Sequence, residues 1–296
     1  MTQTVSETTW SVLKLIKWTA GYLSEKGIST ARLDGELLLA HLLGMDRTHL
    51  YMNFDQPLTK EELAAFKSLV KRRGNREPLQ YITERQEFWS MPFKVSPNVL
   101  IPRPETELLV EEAIKAIKAT FPQDDSLNIL DIGTGSGALA AALAKEIKSA
   151  SIIGVDISDE AIALARENIE LNDLSSSVTL LQGDLFKPVG EKRFHLIVSN
   201  PPYIPHHELK ALQPEVSQYE PLSALDGGED GLDYYRELIP KAPEYLMPEG
   251  WLMVEHGMGQ AEEIIALFEE TGSFTKIENV NDLAGIDRVV KGQLAD

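Results

Sequence analysis

The sequence contains no cysteine. Disulfide frameworks, thiolate zinc sites and catalytic thiols are therefore excluded. Long apolar runs are also missing: Leu37-Leu-Leu-Ala40 and Ile152-Ile-Gly-Val155 are typical, far short of the roughly 18 residues that cross a bilayer. Met1 to Trp10 is polar, contains Glu7 and has no basic region followed by an apolar one. No signal peptide, no membrane association and a cytoplasmic location are expected. Basic side chains are scarce, with 28 Lys and Arg against 46 Asp and Glu and a net charge of -18. A field of that sign repels phosphate backbones and steers a basic partner inwards, so no direct contact with nucleic acid is expected.

What is present suits a packed protein. The chain has 296 residues, 43% hydrophobic and 25% charged, enough for one large domain or a medium domain with a small one. The charge is uneven: residues 1–80 carry 11 basic and 9 acidic side chains, residues 81–296 carry 17 and 37. That asymmetry supports two domains with different surfaces, the plainer alternative being acidic solubility.

Residues 1–76 read as a bundle of four or five short helices. Val12, Leu13, Leu15, Ile16 and Leu23 recur near helical spacing. Thr30 reads as the cap of a helix that Gly44 ends, and Thr59-Lys-Glu-Glu62 as a capping box ahead of Leu63, Phe66, Leu69 and Val70. Lys71, Arg72, Arg73 and Arg76 close the last helix. They read as complementing its C-terminal dipole, with a partner-binding patch as the alternative. Residues 77–104 hold five prolines among Tyr81, Ile82, Phe88, Trp89, Phe93, Val95 and Val99, which predicts a β-hairpin or extended linker.

Residues 105–296 form the third region. After a helical stretch from Thr106 to Thr120, strand and helix alternate. Strands are predicted at 127–132, 151–156, 178–181, 194–199, 251–255, 274–280 and 288–291, and helices at 138–147, 159–171, 232–246 and 261–270. Such alternation predicts an α/β fold, a mostly parallel sheet of seven strands covered on both faces.

Asp131-Ile-Gly-Thr-Gly-Ser-Gly137 lies between the first of these strands and a helix of small residues. Its glycines let the backbone turn tightly and approach a ligand. The spacing is not that of a dinucleotide site, and a P-loop's Lys-Ser/Thr is absent. Asp156, closing the next strand, is placed to accept both ribose hydroxyls of an adenosine. Asp131 would repel a pyrophosphate, so a nucleoside without phosphates fits better than NAD. Asp184 is placed to accept from an adenine amino group, with Leu185 packing on the ring. The order strand, glycine turn, helix, strand-Asp, helix, strand-Asp resembles the class I S-adenosylmethionine (SAM)-dependent methyltransferase fold, which is Rossmann-like.

Asn200-Pro-Pro-Tyr203 follows the fourth strand, at the carboxyl edge where such sheets bind ligands. An amide or aromatic amine nitrogen is a poor nucleophile because its lone pair is delocalised. The Asn200 side-chain oxygen and the Pro201 carbonyl can accept both of its hydrogens and aim the nitrogen at a methyl group. Pro201 and Pro202 stiffen the loop, and Tyr203 offers a flat apolar wall. No general base is required, since positioning supplies much of the rate. His195, His206, His207 and His256 show no metal-ligand spacing and read as structural or surface residues, so no metal is expected.

Asn-Pro-Pro-Tyr occurs in methyltransferases of DNA adenine and of protein glutamine. Three longer strings separate them: Val99-Leu-Ile-Pro-Arg-Pro-Glu-Thr-Glu107, Tyr219-Glu-Pro-Leu-Ser-Ala-Leu-Asp-Gly-Gly-Glu-Asp-Gly-Leu-Asp233 and Asp287-Arg-Val-Val290. With these the chain resembles the PrmC/HemK family over nearly its whole length. The resemblance implies methyl transfer from SAM, leaving S-adenosyl-L-homocysteine, to the glutamine N5 in the Gly-Gly-Gln motif of peptide chain release factors. It implies that Gly133, Thr134, Gly135, Ser136, Gly137, Asp156, Asp184, Leu185 and Asn200 contact the cofactor, and that Asn200, Pro201, Pro202 and Tyr203 hold the glutamine. It also implies a helical substrate-recognition domain, a hairpin linker and a monomer. Gly292-Gln293 departs from the family pattern, which puts Arg after that glycine. Arg103 and Glu105 read as fixing the linker against the methyltransferase domain, with contact to the cofactor as the alternative. The alternative function is adenine-N6 methylation of DNA or RNA, against which the acidity of residues 81–296 argues.

Overall fold

The computed structural model describes residues 10–123 and 126–296. The polar N-terminal stretch read above, apart from Trp10, lies outside the described residues. The chain divides into two compact units, one of residues 1–84 with 214–219 and one of residues 85–213 with 220–296.

The first unit is helical: α1 (Val12–Glu25), α2 (Ala31–Leu43), α3 (Arg47–Met52), α4 (Lys60–Gly74), α5 (Leu79–Thr83) and a distant turn, α9 in chain order (Pro214–Ser217). Val12, Leu15, Ile16, Leu23, Leu38, Leu39, Leu50, Phe66 and Val70 form its core. The capping box is made in both directions. The Thr59 hydroxyl accepts from the Glu62 N–H at 3.1 Å, and the Glu62 carboxylate accepts from the Thr59 N–H at 2.7 Å. Gly44 ends α2 in the left-handed conformation. Thr30 makes no side-chain cap, because its ψ of 18° is not the extended geometry that a capping hydroxyl needs.

The basic cluster is chiefly an internal ion-pair network. Arg73 is buried, 2.6 Å from Asp34 and 3.0 Å from Glu215. Arg76 meets Glu215 at 2.6 Å, and Arg72 meets Glu77 at 2.6 Å. A buried guanidinium has to be paired, and this need outranks the helix dipole at Arg73.

Residues 77–84, read from sequence as the start of the linker, fall in the helical unit. Pro78 stands at the N-cap of α5, where a missing N–H costs nothing, and Tyr81 and Ile82 are buried in its single turn. The hairpin follows at β1 (Arg85–Phe88) and β2 (Met91–Lys94), joined by Trp89 and Ser90, both at φ 52°. Two left-handed residues match the twist of a tight hairpin.

The second unit continues with α6 (Glu107–Thr120), β3 (Leu127–Ile132), α7 (Ala138–Glu146), β4 (Ala150–Asp156), α8 (Asp159–Leu171), β5 (Val178–Gln182), β6 (Phe194–Ser199), α10 (Asp233–Leu238), β7 (Leu246–Glu255), α11 (Ala261–Glu270), β8 (Phe274–Asn281) and β9 (Asp287–Leu294). The sheet order is β5-β4-β3-β6-β7-β9-β8. The first five strands are parallel, while β9 runs antiparallel to both neighbours. Apolar residues fill both faces: Ile129, Ile152, Val198 and Met253 join one core, and Leu130, Val155, Ile197 and Leu252 the other. A parallel sheet covered on both sides needs such near-continuous runs. The expected helix over 232–246 stops at Leu238, because Pro240 and Pro243 interrupt it, and Ala242–Tyr245 is a 3-10 turn.

Candidate active site

The order in which successive strands are added reverses between β3 and β6, which are parallel hydrogen-bonded neighbours. At such a switch point the loops beyond the carboxyl ends splay apart and leave a crevice. A cavity of about 210 Å³ opens there within the second unit.

The glycine turn forms one wall. Gly133, Gly135 and Gly137 have φ of 72°, 54° and 78°, a conformation that a side chain disfavours. Gly137 opens α7, and a Cβ on it would lie 3.2 Å from that of Ala165 in α8. Asp131, near the end of β3, is 1% exposed. Its Oδ2 accepts from the Thr134 hydroxyl at 2.6 Å and the Ala140 N–H at 3.2 Å, whereas its buried Oδ1 has no hydrogen-bond partner. Burial pushes the Asp131 carboxyl up to about 7 and outweighs those two bonds. Asp156 ends β4, accepting from the Gly135 N–H at 2.8 Å and the Ser158 N–H at 3.0 Å. Burial raises its pKa too, against the pull of these N–H groups. Asp184 follows β5 and pairs with Lys187 at 2.7 Å.

Asn200 follows β6, and its Nδ2 donates to the Thr106 hydroxyl at 3.0 Å. Glu255, the last residue of β7, is 2% exposed. Burial raises its carboxyl to about 7, while Thr106, Arg288 and Asn200 favour the charged form. The loop after Asn200 is held by its neighbours. The Tyr203 carbonyl accepts from Gln260 Nε2 at 2.9 Å, the Ile204 N–H donates to Leu225 at 2.9 Å, and the Gly227 N–H donates back to Ile204 at 2.9 Å. The glycine-rich string after Tyr219 thus packs against the Asn-Pro-Pro-Tyr backbone.

Among the residues singled out from sequence, Gly133, Thr134, Gly135, Ser136, Asp156, Asp184, Asn200 and Pro202 line the cavity. Gly137, Leu185, Pro201 and Tyr203 do not. Gly137 is turned against α8, Leu185 belongs to the core, and the Tyr203 ring packs on that same core. Arg103 lines the cavity and pairs with the buried Glu220 at 2.6 Å, whereas Glu105 is exposed. His195 accepts from the Asn128 N–H, and His256 lies between the Gly257 carbonyl and Asn279. His206 pairs with Asp226 and His207 lies beside Glu208, both at the surface. Among the described residues, no three His, Asp or Glu side chains gather as a metal site.

Phe88, Thr106, Ile157 and Tyr234 also line the cavity, and sequence reasoning missed them there. Burial lifts the Tyr234 phenol to about 12. Their signal is only an apolar or small residue beside a motif, which core packing also produces. Glu255 had a signal like that of Asp156, an acid closing an apolar strand at the ligand-binding edge.

Comparison with known proteins agrees with this architecture. A family model described as the PrmC N-terminal domain matches residues 14–83, and one described as the methyltransferase small domain matches residues 107–218. A release factor glutamine methyltransferase from Geobacter sulfurreducens is 54% identical over 96% of this chain and 97% of its own. Another from Rhodopirellula baltica is 40% identical over 100% of both chains. Among solved structures, a methyltransferase from Pyrococcus furiosus aligns at TM-score 0.52 and 20% identity, covering 76% of this chain and 99% of that one, a likeness of fold alone. No described helix is long and apolar enough to cross a membrane. The fold is that of a class I methyltransferase, and the chain belongs to the release factor glutamine methyltransferase family.

Proposed function

We propose that this protein transfers a methyl group from SAM to the side-chain nitrogen of the glutamine in the Gly-Gly-Gln motif of peptide chain release factors. The observation that carries the reading is the Asn200 amide. Its Nδ2 is tied to Thr106, which leaves Oδ1 as an acceptor at a cavity also lined by Asp131, whose Oδ1 is buried without a partner.

The cavity residues fit an adenosyl amino acid. The partnerless Asp131 oxygen suits an ammonium group. Asp156 accepts from the Gly135 and Ser158 N–H groups, one on each oxygen, with the Ile157 N–H also favouring its charge, and an ionised carboxylate has lone pairs left for a ribose diol. Asp184 and Ile157 would take the base, and Gly133 and Gly135 give the ligand close access to the backbone. Bound there, SAM supplies an electrophilic methyl group on a sulfonium. The protein's share is alignment. Asn200 Oδ1 and the Pro201 carbonyl accept the two hydrogens of the glutamine amide and point its nitrogen into the cavity. The same acceptors stabilise the nitrogen as positive charge develops on it. The proton then leaves to solvent. In this reading the protein acts on protein as a monomer in the cytoplasm, and its net charge of -18 opposes direct contact with nucleic acid.

The test is mass spectrometry of a release factor incubated with the protein and SAM. One methyl on the Gly-Gly-Gln glutamine is expected. Asn200→Ala should lower turnover by about 10²–10³-fold, as loss of one oriented hydrogen-bonding group does elsewhere, with little change in calorimetric SAM affinity. Methyl appearing only on adenine of a nucleic-acid control would overturn the reading.

A further inference from the structure

Glu255 has no assigned part in the reaction, yet it is buried beside the proposed target-binding amide. Strand register puts it there. Ser199 on β6 pairs with Val254 on β7, so Asn200 and Glu255 leave adjacent parallel strands at the same level. The Tyr235 hydroxyl donates to the Glu255 carbonyl at 2.6 Å and pins the backbone. The side chain is buried beside Thr106 and Asn200, and both polar groups favour its charged form. Arg288 and Glu105 are the other charged groups that act on it. Its Oε2 is buried without a hydrogen-bond partner. Glu255 is not part of the cavity wall.

An asparagine amide is nearly symmetric in shape, and only its surroundings decide which end faces out. Thr106 alone does not decide, because a hydroxyl both donates and accepts. An acidic neighbour removes the ambiguity. The Thr106 hydrogen turns to Glu255, its lone pair takes Asn200 Nδ2–H, and Asn200 Oδ1 is left for the cavity. The reverse orientation would set an NH2 group against the N–H groups of the target. We propose that Glu255 is a positioning residue that, directly and through Thr106, fixes the polarity of the Asn200 amide so that its oxygen faces the target nitrogen. This inference rests on the reading of Asn200 as the target's acceptor.

A double-mutant cycle tests it. Single-turnover rates at saturating SAM, and calorimetric SAM affinities, would be measured for Glu255→Leu, Glu255→Gln and Thr106→Val, each alone and combined with Asn200→Ala. Glu255→Leu and Thr106→Val should each slow transfer by about 10–100-fold, the scale of a misaligned contact. Glu255→Gln keeps an acceptor oxygen and should lose less. SAM affinity should change little for the two Glu255 variants. None of the three should cost anything further once Asn200 is alanine. If Glu255→Leu fails to fold, the other two carry the cycle. Losses that persist in full on the Asn200→Ala background would mean that Glu255 acts without Asn200 and overturn this inference alone. Undiminished turnover of Asn200→Ala itself would instead remove the reading of Asn200, and this inference with it.

Discussion

Asp131 and Glu255 are two acids that burial holds near pKa 7, and each has one oxygen without a partner. An acid whose pKa is raised by folding stabilises the fold fully below its unfolded value and loses that contribution as pH rises through the folded one. With unfolded values of 3.8 and 4.5 and folded values of about 7, the window runs from about pH 4 to about pH 7. The ligand-free protein should therefore melt at progressively lower temperature across that window. Asp131→Asn should flatten the profile, and a profile as steep as wild type would show that Asp131 is not the titrating group. A cation set against Asp131 favours its charged form, so SAM should raise the melting temperature more at pH 8 than at pH 5.

The hairpin, the glycine turn and the loop after β6 each depend on local backbone chemistry. Gly231, at φ 82°, lies tight against the Asn-Pro-Pro-Tyr backbone. A Cβ there would sit 2.3 Å from the Tyr203 carbonyl oxygen and 2.5 Å from Gln260 Nε2. Gly231→Ala should cost about 1–3 kcal/mol, as overpacking does, and should slow methyl transfer by displacing the Asn-Pro-Pro-Tyr backbone. Paired melting and single-turnover measurements check this, and an unshifted melting temperature would contradict it. Elements of this kind were legible in the sequence where period and punctuation agree. The central strands β3, β4, β6 and β7 were legible because their residues are apolar on both faces, and the cavity-lining Asp156, Asp184 and Asn200 because each closes or follows a strand on the same edge. The single turn of α5 was hidden because Pro78, a helix breaker in most positions, begins it. The break after Leu238 was missed because Pro240 and Pro243 lie in a stretch with helical periodicity. Thr106 and Glu255 come together only through the β6–β7 register and the chain ahead of α6, and no local pattern encodes that.

The helical unit is made of two stretches that are remote in sequence, residues 1–84 and 214–219. Glu215 supplies one of the two carboxylates on the buried Arg73 and the partner of Arg76, and the Tyr219 hydroxyl donates to the Asn75 carbonyl at 2.8 Å. Glu215→Ala should destabilise this unit by about 1–3 kcal/mol, because one charge-assisted contact to a buried guanidinium is lost. Thermal melting checks this, and an unshifted transition would mean that Asp34 alone satisfies Arg73. The arrangement also bears on synthesis. Chains leave the ribosome N-terminus first, and domains generally fold as units in that order. Here the helical unit cannot complete its charge network until Glu215 has been added, after Asn200, and the Tyr219 hydrogen bond follows four residues later. A unit whose main stretch precedes the methyltransferase residues is thus finished only after Asn200, and its last pieces come from the segment that follows the Asn-Pro-Pro-Tyr loop.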